Sequence, residues 1–199
     1  MSHDDLIAFK NLTLEHLENN DFQKAFSFNT NLDYKVSWSK GPACSIIPLD
    51  LEMSGVKPAE LLAHEPKNKK NVHKNYFLDN TLTRVESFDR MGLLSEIEST
   101  KTDSGIRYSI RKNNFGEVNW LKAVEFEKGL PIRACRIDSD SEFWSYRYKW
   151  ENMKIVEITT FSSNSIPGIR LFVDYSGDAV NSIFFDNKGS KIVIYNKND

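Results

Sequence analysis

The sequence predicts a mainly β (α+β) fold, in which a short N-terminal helical segment precedes a large antiparallel β-meander that forms a twisted or curved sheet. After residue 75, apolar and polar residues alternate in runs of strand length. The gaps between these runs are rich in Asp, Asn and Gly, which tolerate the positive φ of tight hairpins. They are also too short for parallel crossovers. We therefore expect one domain over residues 1–199, mixed over 1–75 and a meander over 76–199.

The N-terminal part mixes predicted helix, strand and loop. Apolar residues recur at helical spacing over 2–19, and the acidic pair Asp4-Asp5 suits a helix N-terminus. Alternation predicts a strand over 33–40, which Gly41-Pro42 ends. Residues 58–64 predict one or two helical turns that start at a proline. Residues 66–75 are polar and lysine-rich, so we expect a solvated loop there.

The meander is predicted to hold eight to ten strands. The alternating runs are LTRVESF, GIRYSIR, NWLKAVEF, FWSYRYKW, KIVEITTF, IRLFVDY, VNSIFF and KIVIY. The glycines of the turns stand close to multiples of twelve positions apart, and twelve residues correspond to one strand plus one turn. This spacing indicates an array of hairpins.

The run FWSYRYKW, residues 143–150, carries the strongest candidate for a binding surface. As a strand it places four aromatic residues on one side, because side chains alternate between faces. That side is either a core face or a partly exposed face that meets a partner, since Tyr and Trp suit both. The acids just before it form either a solvated turn or an acidic patch. The candidate partner-binding residues are Asp138, Asp140, Glu142, Trp144, Tyr146, Tyr148 and Trp150.

The sequence holds no recognisable catalytic, cofactor-binding or metal-binding set. None of the four histidines stands in HExxH spacing, and the chain has no GxSxG, Walker or GxGxxG motif. Cys44 and Cys135 are far apart, without CxxC, which favours two reduced thiols over the alternative of a long-range disulfide. We predict a protein that is not an enzyme and needs no cofactor. A divergent enzyme stays open as the least favoured alternative.

The charge and hydropathy of the chain limit the classes of partner and the cellular location that we expect. A net charge of −2 argues against a nucleic-acid binder with a broad basic surface. No apolar run approaches the roughly 20 residues that a membrane-spanning helix needs. The acidic N-terminus does not resemble a secretory signal, so we expect a cytoplasmic protein. Oligomeric state stays open, because edge strands of a long meander can pair between subunits.

The turns FDRMG (88–92) and FDNKG (185–189), and more loosely FEKG (126–129), resemble the aromatic-Asp-x-x-Gly turns of YD-repeat and related hairpin arrays. In overall character, the mildly acidic, Asn-rich chain with a helical start resembles immunity proteins of bacterial polymorphic toxin systems. This resemblance implies a non-catalytic cytosolic protein that binds and occludes a cognate toxin domain. The alternative is a carrier of a small ligand or lipid, with an aromatic-lined cleft on a curved sheet.

Overall fold

The computed structural model describes residues 4–163 and 168–198, and these form one twelve-stranded antiparallel sheet whose strands lie in chain order. The strands are β1 (Lys35–Ser39), β2 (His73–Leu78), β3 (Thr81–Phe88), β4 (Leu94–Asp103), β5 (Ile106–Asn113), β6 (Val118–Glu127), β7 (Leu130–Asp138), β8 (Phe143–Glu151), β9 (Lys154–Ser162), β10 (Ile169–Ser176), β11 (Ala179–Asn187) and β12 (Ser190–Asn196). The helices are α1 (Asp4–Glu18), α2 (Asn20–Lys24) and α3 (Asp50–Met53). The predicted antiparallel meander and N-terminal helix are confirmed.

Tight turns close one end of the sheet. Four hairpins there have positive φ at both central residues, and the pairs are Asp79-Asn80, Ser104-Gly105, Lys128-Gly129 and Asn152-Met153. Such turns match the right-handed twist of the strands they join. The strand order therefore follows from local turn chemistry, since each strand pairs with the next one along the chain.

Helix α1 covers one face of the sheet, which we call the helix face. Leu6, Phe9 and Thr13 are its buried residues, and the Thr13 hydroxyl donates to the Phe9 carbonyl oxygen at 2.8 Å. Phe9 packs with apolar residues of β5 to β7, including Leu121 and Ile137. Residues 2 and 3 of the predicted helix lie outside the described residues. The rest of the prediction agrees with the structure to within one residue.

The opposite face is covered by the segment 43–57, which we call the strap and which includes α3. Ile46 and Ile47 are buried against the second core cluster, which contains Tyr146 and Tyr148 of β8. The Tyr148 hydroxyl donates to the Pro48 carbonyl oxygen at 3.3 Å. We call this covered side the strap face.

The sheet curls around the strap. The Lys57 ammonium donates to the Lys197 carbonyl oxygen beside β12, whereas Leu62 exchanges backbone hydrogen bonds with Trp38 in β1. Five residues of chain span at most about 18 Å. Twelve flat strands would separate the two edges by about 50 Å. Both sets of contacts can form only if the sheet bends toward the strap, so the strap face is concave.

Two N-terminal predictions were wrong. Residues 58–64 are not helical; Leu62 instead forms an isolated bridge to the outer edge of β1, which satisfies backbone groups there. The lysine-rich loop ends earlier than expected, because β2 begins at His73 and Asn75 is fully buried in it. The predicted boundary between residues 75 and 76 therefore falls inside a strand.

Strands β4 and β7 were absent from the predicted runs. Strand β4 places the charged Glu98 in the interior, so its sequence does not alternate between apolar and polar residues. Strand β7 carries Pro131 and Arg133 among its residues. Within the described part of the chain, no helix combines the length and the apolar character that crossing a bilayer requires.

Candidate protein-binding surface

Three turns at the other end of the sheet are built alike. Asp89 directly follows β3, and its carboxylate accepts hydrogen bonds from the backbone N–H groups of Met91 and Leu93 at 2.8 and 2.9 Å. These bonds lower the pKa of Asp89, with the Leu93 bond contributing most. Asn113 and Asp138 accept from the residues two and four positions later in the same way. A side chain therefore fixes each turn.

These turns lie side by side, because antiparallel strands in chain order bring alternate turns to the same end. Neighbouring turns are two strand spacings apart, or about 10 Å. We call residues 89–93, 113–117 and 138–142 together the turn row. The row is a continuous rim of the sheet, held by the strands behind it.

Large apolar side chains project from the first two turns of this row. Phe115 is 82% exposed, Met91 69%, Leu93 66%, and the adjoining Leu94 of β4 41%. Single exposed apolar residues are common, but a contiguous group on a rigid frame marks an interaction surface. The sequence segments DRMGLL and NNFG already contain these residues in turns, where polar residues are expected. Exposed apolar residues in predicted turns are therefore the sequence signal that indicates this surface.

A cleft of about 380 Å³ lies on the helix face beneath the same two turns. Its apolar walls include Phe26, Leu94, Ile97 and Ile110. Asn114 and Gly116, which flank Phe115 in the chain, also line it. Of the exposed apolar residues, Leu94 therefore lines a concave site, and Leu93 and Phe115 adjoin its lining residues in the chain. A concave site is the usual form of an anchoring pocket.

The turn row has charges of opposite sign at its two ends. The lysine-rich loop packs beside the first turn, where the Asn71 N–H donates to the Asp89 carbonyl oxygen at 3.0 Å and Lys69 contacts Gly92. Arg90 adds an exposed cation there. At the far end, the third turn exposes Asp140 and Glu142. A partner with the complementary order of charges would therefore be oriented along the row.

Behind the row, on the strap face, a ladder of cations and indole rings crosses four strands. The Arg111 guanidinium stands 4.0 Å from the Trp120 ring centre, and Arg136 stands 4.2 Å from that of Trp144. Arg111 is opposite Trp120, and Arg136 is opposite Trp144, in the strand register. Arg111 also pairs with Glu96 at 3.1 Å. Cation–π contacts of this kind stabilise the strand ends that carry the turns.

A buried ion cluster attaches the strap to the middle of the sheet. The Lys122 ammonium lies 2.9 Å from the Asp50 carboxylate and 3.6 Å from that of Glu98. The Ser45 hydroxyl donates to Asp50 at 2.7 Å and accepts from Lys122 at 3.0 Å. Burial would raise the pKa of Glu98, but Lys122 and Arg111 outweigh it and hold that pKa at about 2. Glu98 therefore remains ionised, and the cluster binds the strap in place.

The seven residues predicted to bind a partner lie in three different places in the structure. Asp138, Asp140, Glu142 and Trp144 lie together at the turn-row end of β7 and β8. Tyr146 and Tyr148 are buried in the core beneath the strap. Trp150 lies at the opposite end of β8, where its indole N–H donates to the Pro131 carbonyl oxygen at 2.7 Å. Partner binding by this set stays a prediction, and its exposed members belong to the turn row.

One histidine has a neighbour with catalytic potential. The Nδ1 atom of His73 stands 3.0 Å from the Ser87 hydroxyl across β2 and β3. Burial, with a smaller contribution from Arg111, lowers the His73 pKa to about 4, so the ring is neutral near pH 7. Because Ser87 is itself buried, we interpret the pair as a structural hydrogen bond. Across residues 4–163 and 168–198, no three His, Cys, Asp or Glu side chains are grouped as metal ligands.

Comparison of this chain with family models, with curated proteins and with solved structures finds no match.

Proposed function

We propose that this protein is a non-catalytic protein-binding module, and specifically a cytosolic immunity protein that binds and occludes a cognate bacterial toxin domain. The observation that carries the proposal is the group of exposed apolar side chains, led by Phe115 and Leu93, beside the cleft at one end of the sheet. Apolar anchors in and around a pocket dominate the binding energy of protein interfaces. The resemblance of the chain, in overall character, to immunity proteins indicates that the partner is a toxin domain.

The proposed mechanism is steric occlusion with electrostatic orientation. The turns are fixed before binding by their own Asp and Asn side chains, so little conformational entropy is lost when a partner docks. The acidic turn at 138–142 would attract a basic part of the toxin and set its orientation. An inhibitor of this kind needs no reacting group of its own.

A carrier of a small ligand or lipid is the alternative. It would use the concave strap face, where a cleft of about 410 Å³ lies between the strap and the ends of β2 and β3. Its expected aromatic lining, Tyr146 and Tyr148, is covered by Ile46, Ile47 and Pro48. A carrier would therefore have to displace the strap when it loads, and ligand-dependent tryptophan fluorescence would report that change.

The test is co-expression with the toxin domain encoded beside this gene. We expect the wild-type chain to restore growth and the double variant Leu93→Ser/Phe115→Ser to lose protection. Binding of the purified toxin domain should weaken by about 30-fold or more, since truncation of two anchors costs about 2 kcal/mol or more. Met153→Asn, at an exposed apolar residue on the opposite end of the sheet, is the matched control and should protect fully.

Two outcomes would contradict the proposal. If the Leu93/Phe115 double variant protects as well as the wild type, the turn row is not the binding surface. If the neighbouring genes encode no toxin domain, the assignment to the immunity class is wrong, although protein binding by the turn row could still be measured.

A further inference from the structure

The cleft beneath the first two turns combines apolar walls with a lysine, Lys112. We infer that it anchors a segment of the partner protein that presents an apolar side chain beside a carboxylate group. This inference rests on the proposed function, because it identifies what the partner places in the cleft. Its evidence is the lining of the cleft and the state of the charged groups at its edge.

The walls select an apolar side chain. Ile97, Ile110 and Phe26 line the cleft, and Ile110 is also part of the core beneath α1 and α2. The volume of about 380 Å³ is sufficient for an aromatic or a branched aliphatic side chain together with adjoining backbone. Because most of the lining residues belong to strands β3, β4 and β5, the site exists before the partner arrives.

The cleft has one cation whose hydrogen-bonding capacity is largely unused. Lys112 lines the cleft, and its ammonium group makes a long contact of 3.4 Å with the Gln23 carbonyl oxygen. An ammonium group has three donors. Among the described residues, no carboxylate lies within ion-pair distance of Lys112. It can therefore accept a carboxylate from outside the chain.

The other charged groups of the cleft are already engaged. Arg84 pairs with Glu86 at 2.9 Å, and its guanidinium stands 4.7 Å from the Phe28 ring centre. Glu96 pairs with Arg111 and accepts from the Asn119 amide at 2.6 Å. These groups satisfy one another, so an incoming carboxylate meets Lys112 as its partner.

The occupant is a protein segment rather than a free small molecule, because the cleft is continuous with the exposed tips around it. Leu94 lines the cleft, Leu93 adjoins it, and Phe115 stands between two lining residues. A small ligand would fill the cleft and leave these apolar side chains in water. A protein segment would cover both, with its carboxylate forming a charge-assisted hydrogen bond to Lys112.

The experiment uses N-acetylphenylalanine as the probe and N-acetylphenylalaninamide as its uncharged match, each titrated into the ¹⁵N-labelled full chain by NMR. We expect N-acetylphenylalanine to shift the backbone amide signals of Leu94, Ile110 and Lys112, with a Kd on the order of millimolar for a fragment of this size. N-acetylphenylalaninamide should bind about tenfold more weakly. Lys112→Met should remove this difference between the two probes and leave weak apolar binding.

The control is Lys149→Met, which removes an exposed lysine of β8 and should keep the preference for the carboxylate. Lys112→Gln repeats the test if Lys112→Met perturbs the whole spectrum. Equal binding of the two probes by the wild type, or shifts confined to another surface, would overturn the inference. Those results leave the growth test unaffected, whereas failure of the wild-type chain to restore growth, together with selective probe binding, would overturn the toxin assignment alone.

Discussion

Lys122 is a residue whose environment in the structure differs from the one that its sequence predicts. It lies in the run NWLKAVEF, where its charge predicts a solvated position, although alternation places it on the same side of β6 as Trp120 and Val124. In the fold that face is concave and covered, and Lys122 is buried between Asp50 and Glu98. Asp50 comes from the strap and Glu98 from β4, so neither partner is near Lys122 in the chain. The ion cluster could not be predicted from the sequence for this reason.

Replacement of Lys122 by Met should destabilise the protein strongly, because it leaves the carboxylates of Asp50 and Glu98 buried without their shared cation. Loss of one member of a buried ion pair costs about 3–5 kcal/mol. Urea unfolding measured by tryptophan fluorescence would give the change in free energy. The control Lys149→Met removes a lysine that pairs with Glu151 at the surface, and should change stability by less than about 1 kcal/mol. Similar losses for the two variants would show that the cluster contributes little.

At the scale of elements, the turn row differs from the hairpins at the other end of the sheet. One end has two-residue hairpins with positive φ, whereas the turn row uses longer turns that Asp89, Asn113 and Asp138 hold. These three residues are 24 and 25 positions apart, which corresponds to two strands and two turns. The spacing near multiples of twelve in the glycines has the same origin. A unit of two strands and two turns is therefore repeated along the meander. The turn residues could be predicted from the sequence because turn formation depends on residues close together in the chain.

The side chain of Asn113 should matter more to the second turn than that of its neighbour. Asn113→Ala removes the acceptor of the Phe115 and Glu117 N–H groups and should cost about 1 kcal/mol. The exposed Asn114 carries no such bonds to the turn, so Asn114→Ala should be close to neutral. Thermal unfolding gives the global effect, and hydrogen exchange at Phe115 gives the local one. Unchanged exchange at Phe115 in Asn113→Ala would argue against side-chain control of the turn.

At the scale of the whole molecule, the strap decides the shape of the sheet. Its contacts reach Lys122 in β6, Tyr148 in β8 and the end of β12, all more than 60 positions away in the chain. Leu82 of β3 and Ile183 of β11 pack in the same core cluster, which a flat sheet would keep far apart. The curl therefore gives the sheet a concave side with its own core and leaves its rim, the turn row, exposed.

The two edges of the sheet should therefore be close together in solution. Spin labels at Lys35→Cys and Lys197→Cys, in a Cys44→Ser/Cys135→Ala background, should give a distance below about 40 Å. A flat sheet would place the edges about 50 Å apart. Labels at Lys35→Cys and Glu127→Cys span only five strand spacings and should give about 25 Å in either shape. A distance near 50 Å between the labels at positions 35 and 197, with about 25 Å between those at 35 and 127, would show that the sheet is open and flat.

The sequence by itself determined the helix α1, the antiparallel meander and the positions of most strands and turns. Those features depend on interactions between residues close in the chain, such as side-chain alternation and the φ preferences of Asn, Asp and Gly. Tertiary structure alone decided which face of β8 is buried, where the strap packs, and that the exposed Leu93 and Phe115 lie beside residues that line a cleft. These depend on contacts between distant segments and on the curl of the sheet, and neither leaves a periodic signal in the chain.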